Sequence, residues 1–269
     1  ELFSGTSMTL AYVGSHGDHL QRQRDTNPVT PRNLADGTVV YGSRGGAQTI
    51  SNPRVNPQFA ALVSANTYAK SDYHSFQAAL NRRFSSNVQS QLSYTLSRCR
   101  DTTSGNSLFE GGTAATNPYD EEYDFGPCQI DRTHNLRASA IYQLPFTANA
   151  FVSGWQVSAI ASAVSGAPFT PLAGFDQSGL QTGGTQRPNL AAGRSLEDAV
   201  TGGRLDTTCG CVVGYFDPTF FTLPAAGTLG TGVGRDSLRG PGLLTVDFAV
   251  SKNIGLAGDT YLQLRAEVF

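Results

Sequence analysis

Asn87-Val88-Gln89-Ser90-Gln91-Leu92-Ser93-Tyr94-Thr95-Leu96-Ser97-Arg98 is the stretch that decides the fold. Val88, Leu92, Tyr94 and Leu96 share one parity, while Gln89, Gln91, Ser93, Thr95 and Ser97 take the other. That alternation is the signature of a strand with one apolar and one polar face. Immediately upstream, His74, Phe76, Ala78, Leu80 and Phe84 alternate with Tyr73, Ser75, Gln77, Asn81 and Arg83, and Ser85-Ser86-Asn87 supplies the turn between the two runs.

The same period recurs along the chain. It runs through Thr133–Gln143 with Leu136, Ala138, Ala140 and Tyr142 on one side, and through Trp155–Ser165 with Trp155, Val157, Ala159, Ala161 and Ala163. It returns in Leu243–Lys252 with Leu244, Val246, Phe248 and Val250, and in Tyr261–Phe269 with Leu262, Leu264, Ala266 and Val268. A weaker strand covers Gly5–Gly14, with Met8, Leu10 and Tyr12 on one face. Seven strands result, and their links alternate in length: long (about 15–72, 99–132 and 166–242) and short (85–87, 144–154 and 253–260).

A soluble sandwich has no reason to keep its large insertions at one end. An outer-membrane barrel does so by rule, with short periplasmic turns and long extracellular loops. Strands of about 10 residues, rising roughly 3.3 Å each and tilted by roughly 45°, climb about 25 Å, the height of the apolar band of such a barrel. The expected fold is therefore all-β, an antiparallel transmembrane β-barrel segment with its apolar parity toward outer-membrane lipid. Every backbone polar group must be paired in lipid, so seven strands with two free edges are expected to be part of a larger barrel.

Cations and aromatics test this assignment. Arg82 and Lys252 on the apolar parity fall at the short-turn ends of their strands and Arg98 at the opposite end, where a basic group costs little and its stem can snorkel. Phe84, Tyr142, Phe146, Phe151 and Trp155 fall near the short turns, as an interfacial girdle requires.

Composition excludes other classes. The 269 residues carry 19 basic and 21 acidic groups, a net charge of −2 and a pI near 6.1, so nucleic acid is not an expected partner. Charged residues make up only 15% and hydrophobic ones 39%; the remainder is rich in small polar residues, which suits strands and loops rather than helices. No apolar run reaches 18 residues, which rules out a transmembrane helix but not a barrel. Of the 19 basic residues only Lys70 and Lys252 are lysines, a bias toward the multi-donor pairing of arginine.

Tyr12-Val13-Gly14-Ser15-His16-Gly17, Tyr73-His74-Ser75-Phe76-Gln77, Asn81-Arg82-Arg83-Phe84 and Ser93-Tyr94-Thr95-Leu96-Ser97-Arg98 resemble the barrel of Oar-like TonB-dependent receptors. The likeness continues through Gly154-Trp155-Gln156-Val157-Ser158, Ser165-Gly166-Ala167-Pro168-Phe169-Thr170-Pro171, Arg187-Pro188-Asn189, Phe216-Asp217-Pro218, Leu238-Arg239-Gly240-Pro241-Gly242 and Val246-Asp247-Phe248. It implies an outer-membrane transporter of a Gram-negative-type bacterium that binds a bulky extracellular ligand and passes it by gated active transport. It further implies an N-terminal plug domain, a barrel of about 22 strands and a TonB-type energising protein. The chain lacks a plug and ends inside a strand at Phe269, so it is expected to be the C-terminal part of a receptor without its last strand or strands. A passive porin or adhesin barrel and a secreted carbohydrate-binding β-sandwich are the rival expectations.

No nucleophile, base and stabiliser converge in the sequence, so no enzymatic role is expected. Cys99, Cys128, Cys209 and Cys211 lie in the long links and permit three pairings. A Cys99–Cys128 bridge would staple one loop at its base, and Cys209-Gly210-Cys211 suits a local disulfide better than a metal site. The acidic run Asp120-Glu121-Glu122-Tyr123-Asp124, flanked by Asn117 and Asp131, offers oxygen ligands for Ca2+ but lacks the EF-hand glycine, and is expected to be a solvated loop with no cofactor. In the longest link, Ser195–Val200 is expected to be a short helix and Asp217-Pro218 a capped turn. Tyr215, Phe216, Phe220 and Phe221 there form an aromatic cluster expected to pack the link onto itself; as a sugar or peptide platform, the alternative reading, they are the candidate ligand contacts. On the polar parity, Arg83, Arg137, Asp247, Arg265 and Glu267 are expected to point into the lumen, paired with one another and, by the resemblance, with the plug.

Overall fold

The computed structural model describes residues 5–43, 50–85, 87–103, 115–180, 186–256 and 260–269. Seven long strands form one antiparallel meander: β1 (Thr6–Asp25), β2 (Val63–Ser85), β3 (Val88–Asp101), β4 (His134–Gln143), β5 (Trp155–Val164), β6 (Leu243–Gly255) and β7 (Tyr261–Val268). Each pairs with the strand that follows it in the chain, so the sheet order is the sequence order. The three long links leave from one end of the sheet and the three short ones from the other. At the β2–β3 turn Asn87 takes a left-handed φ of 64°, a conformation asparagine tolerates better than most residues.

The register brings residues of like character together across the sheet. Met8, Leu80, Leu92, Ala138, Ala161 and Val246 stand side by side from β1 to β6, and the next row holds Leu10, Ala78, Tyr94, Leu136, Ala163 and Leu244. On the reverse face the corresponding rows are Ser7, Asn81, Gln91, Ser139, Ile160 and Asp247, then Thr9, Ala79, Ser93, Arg137, Ser162 and Thr245. Because a shift by one residue would exchange the two faces, this agreement over six strands fixes the pairing.

No second layer covers the apolar face among the described residues, which removes the β-sandwich as an architecture. Met8 is 50% exposed, Leu10 56%, Val246 55% and Leu244 71%. A contiguous apolar surface of this extent is foreign to a water-soluble monomer. The buried hydrophobic cluster lies elsewhere: Val29, Tyr41 and Leu180, with Leu229 against them, all in the long links. Hollows open on the polar face, including one of about 380 Å³ lined by Gln89, Gln91, Ser139, Gln156, Gln263 and Arg265, so the sheet curves with its polar side inward.

The aromatics near the short links are mostly exposed: Tyr142, Phe146 and Phe151, with Phe151 at 87%. Trp155 Nε1 donates to the Phe151 carbonyl at 2.9 Å. Lys252 lies on the apolar face opposite Trp155, yet its ammonium turns back to the carbonyls of Ala150 (2.7 Å) and Ser153 and sits 5.5 Å from the Trp155 ring. This is snorkelling onto the turn. The side chain of Phe84, assigned to the same girdle, lies outside the described residues.

Two elements differ from the sequence reading. Pairing between β1 and β2 continues past Gly14 and His74 through an irregularity at Leu20 to Asp25 and Val63, so the first link spans 26–62 rather than 15–72. Gln21-Arg22-Gln23-Arg24 has no apolar parity because Arg22 and Arg24 on one side of this stem pair with Asp124 and Glu121 of the second long link, while Gln21 on the other side is exposed. Ser195–Val200 forms turns rather than a helix: Ser195 Oγ accepts from the Asp198 amide at 3.2 Å, while the Ala199 carbonyl and the Thr201 amide are taken by the backbone of Asp217 and Tyr215. Asp217 caps a single 3-10 turn, Pro218–Phe220, by accepting from the Thr219 amide at 2.8 Å.

Candidate functional site

Above the long-link end of the sheet the three links knit into a cap whose centre is Asp124. The preceding 3-10 turn, Glu121–Asp124, is capped by Asp120, which accepts from the Glu122 amide at 3.0 Å. It presents the Asp124 carboxylate to Arg22 of β1 and to Arg187 of the longest link, the latter at 2.8 Å. The Thr116 amide adds a third donor at 2.8 Å. Burial alone would raise the pKa of this carboxyl, but the Arg187 and Arg22 guanidinium groups and the Thr116 amide outweigh it and hold Asp124 below its ordinary value of 3.8. Arg187 also donates to the Tyr123 carbonyl at 2.7 Å and lies 3.9 Å from the centre of the Tyr123 ring.

Arg235 forms a second knot. Its Nε donates to the Asp124 carbonyl at 2.7 Å, and its two terminal nitrogens pair with Asp101, at the end of β3, and with Asp236 at 2.8 Å. Asp131 forms the third, accepting from the Cys99 amide at 2.8 Å and pairing with Arg239. Beside it, Cys99 and Cys128 form a disulfide with Cα atoms 5.3 Å apart. Cys209 and Cys211 form the other, at the tip of a small hairpin of Arg204–Asp206 with Cys211–Val213.

These knots fill out the motifs on which the resemblance rests. Pro168-Phe169 pairs with Leu238-Arg239, and a Cβ at Gly166 would overlap the Gly240 carbonyl, so that approach requires glycine. Asn189-Leu190 pairs with Phe221-Thr222.

The acidic run is thus not a solvated loop throughout. Asp124 and Asp131 are each 3% exposed, and their oxygens are committed to guanidinium groups and amides. The signal for these pairs was present in the arginine bias and in Arg187 and Arg239 within the quoted motifs, but sequence does not say which carboxylate each would reach. Arg22, Asp101 and Arg235 carried no signal of their own.

The four candidate ligand contacts do not form one surface. Phe216 lies between Phe169, at 5.8 Å, and Phe221, at 6.1 Å edge-on. Phe220 is buried under Arg194, at 4.6 Å, and Tyr215 contributes its backbone carbonyl to Thr201. On the concave polar face Arg265 and Glu267 of β7 form an ion pair. Arg83, Arg137 and Asp247 share that face but make no ion pair among the described residues. Glutamine and serine dominate the hollow between β3 and β7, with Arg265 also in its lining, a surface that hydrogen-bonds a polar solute or a polar protein face.

A family profile described as "Outer membrane beta barrel domain" matches residues 1–269. No curated protein and no solved structure matches the chain. Among the described residues no helix is long and apolar enough to cross a membrane, which says nothing of crossing by strands.

Proposed function

The chain belongs to the outer membrane beta barrel domain family over residues 1–269 and so resides in the outer membrane, and from that premise we propose that it forms part of the barrel of a TonB-dependent receptor. Such a receptor binds a bulky extracellular ligand and passes it inward by gated active transport, with no catalytic step. The observation that supports this reading is the cap: three links tied by buried Arg–Asp pairs and a disulfide across the long-link end of a polar, concave sheet. A passive pore needs no such joined structure at its mouth, whereas a ligand platform does, because preformed geometry lowers the ordering cost of binding.

The outer edges of β1 and β7 have no strand partner among the described residues. In hydrocarbon each exposed edge costs several kcal/mol per unpaired group, so both edges take further strands of the same receptor. The polar face then lines a lumen filled by a plug, with Arg83, Arg137 and Asp247 as its charged contacts and a TonB-type protein acting from the periplasm.

Conductance in planar bilayers tests the gating. The intact receptor should stay closed until the plug is unfolded by urea on the periplasmic side, and then open in discrete steps. Steady conductance from untreated protein would identify a passive porin instead.

A further inference from the structure

Polar side chains on the outward face of β1 to β4 form a cluster that transport does not use and of which, among the described residues, Arg100 alone stacks on a loop ring. Above the rows of leucine and alanine, at the extracellular rim, the lipid-facing parity changes character. One row holds Tyr12, Phe76, Leu96 and His134; the next holds Gly14, His74 and Arg98; the next holds His16, Asp72 and Arg100. His74 stands eight residues above Arg82 on β2. At the usual rise and tilt that is about 20 Å, which puts His74 and Arg98 at the upper edge of an apolar band about 25 Å tall.

The cluster is built twice over. Tyr12 is hydrogen-bonded to His74 Nδ1 at 2.6 Å with ring centroids 6.2 Å apart, and Tyr94 to His134 Nδ1 at 2.7 Å with centroids also 6.2 Å apart. Both imidazoles are exposed. Where the tyrosine hydroxyl donates, Nδ1 accepts and Nε2 keeps its proton, so each ring retains an outward donor. Between the two pairs lies Arg98, directly opposite His74 and diagonal to His134. Arg22, Arg24, Arg54, Arg187, Arg235 and Arg239 are all in ion pairs, whereas Arg98 is exposed and makes none among the described residues. Arg100, on the same face, stacks 4.3 Å from the Phe125 ring and likewise makes no ion pair among the described residues.

We propose that Arg98, flanked by His74 and His134, holds the phosphate of a phosphorylated lipid headgroup in the outer leaflet. A guanidinium with no hydrogen-bond or ion-pair partner among the described residues, two imidazole donors and an apolar surface directly below suit an anion carried on acyl chains, since headgroup and chains are engaged at once. This rests on the chain's place in the outer membrane and not on gating, so an open-channel result would leave it standing.

Native mass spectrometry of the intact receptor, extracted in mild detergent from outer membranes, tests it. Wild type should retain a phosphorylated lipid through washing, and Arg98→Gln should cut retention about tenfold, the worth of one charge-assisted contact. His74→Gln/His134→Gln should also cut it, and Arg98→Lys should keep most of it. Heat-modifiable gel migration identifies which variants are assembled; should Arg98→Gln fail there, the histidine pair variant carries the comparison. Excess inorganic phosphate should not displace the lipid, and the same lipid stripped of phosphate should not be retained. Equal retention by wild type and the assembled variants, displacement by inorganic phosphate, or retention of the dephosphorylated lipid would each overturn the proposal.

Discussion

Adjacent residues on one strand carry opposite obligations. Leu92 lies on the outward face beside Leu80 and Ala138, and Gln91 on the inward face beside Asn81 and Ser139. Arginine at the bilayer midplane costs roughly 2 to 4 kcal/mol, while lumen substitutions are tolerated. Leu92→Arg should therefore reduce the heat-modifiable, folded fraction in outer membranes severely, and Gln91→Arg should leave it near wild type. Equal tolerance at both positions would contradict the assigned faces.

Asp124 obeys a different rule, because it is buried between two cations. Asp124→Asn leaves Arg22 and Arg187 as buried charges without their counter-ion, a loss of about 3 to 5 kcal/mol in the cap. Hydrogen exchange at the Thr116 amide, which donates to this carboxylate, would report it. The same group sets a pH dependence. Its folded pKa lies below 3.8, so its contribution is present above that value and is lost as pH falls through it toward the lower folded value. The protection factor of the Thr116 amide, its exchange rate relative to the intrinsic rate at the same pH, should stay high at neutral pH and fall below about pH 4, and a protection factor that does not change over this range in the Asn variant would complete the case.

At the scale of elements, the link between β3 and β4 is closed by Cys99–Cys128, 29 residues apart. Loop-closure entropy for that length is worth about 3.5 kcal/mol. Replacing both cysteines by serine should make the 102–133 link susceptible to external protease on intact cells, while the strands stay assembled. Protection equal to wild type would mean that the Arg235 and Arg239 pairs hold the loop without the bridge.

The strands themselves were legible in sequence wherever one face meets hydrocarbon and the other water, because that contrast imposes the period of two seen in Val88–Leu96. Legibility ended where the contrast ends. Gln21-Arg22-Gln23-Arg24 extends β1 beyond the rim with polar groups on both faces, and no period marks it. Ser195–Val200 has a helix-like cap and composition, but its backbone is drawn into pairing with Tyr215 and Asp217, residues that its local sequence does not report. The cap failed to declare itself for the same reason: composition favoured arginine pairing, yet the partners of Asp124 are 102 and 63 positions away.

The whole molecule inverts the usual arrangement of a soluble protein. Its buried apolar cluster is small and lies among the loops, around Val29, Tyr41 and Leu180, while the apolar side chains of the sheet point outward. Such a sheet is stable only with lipid as its second layer, and it encloses a polar lumen only when its edges are paired. The membership of the chain in an outer-membrane barrel family agrees with both conditions.

Nitroxide accessibility measures that arrangement directly. All four cysteines of these 269 residues are in disulfides, so a cysteine placed at Leu92 or at Gln91 is the single free thiol among them. In lipid bilayers a label at 92 should be relaxed by oxygen and shielded from a water-soluble nickel chelate, and a label at 91 should show the reverse. Nickel access at 92 equal to that at 91 would mean that water, not hydrocarbon, covers the apolar face.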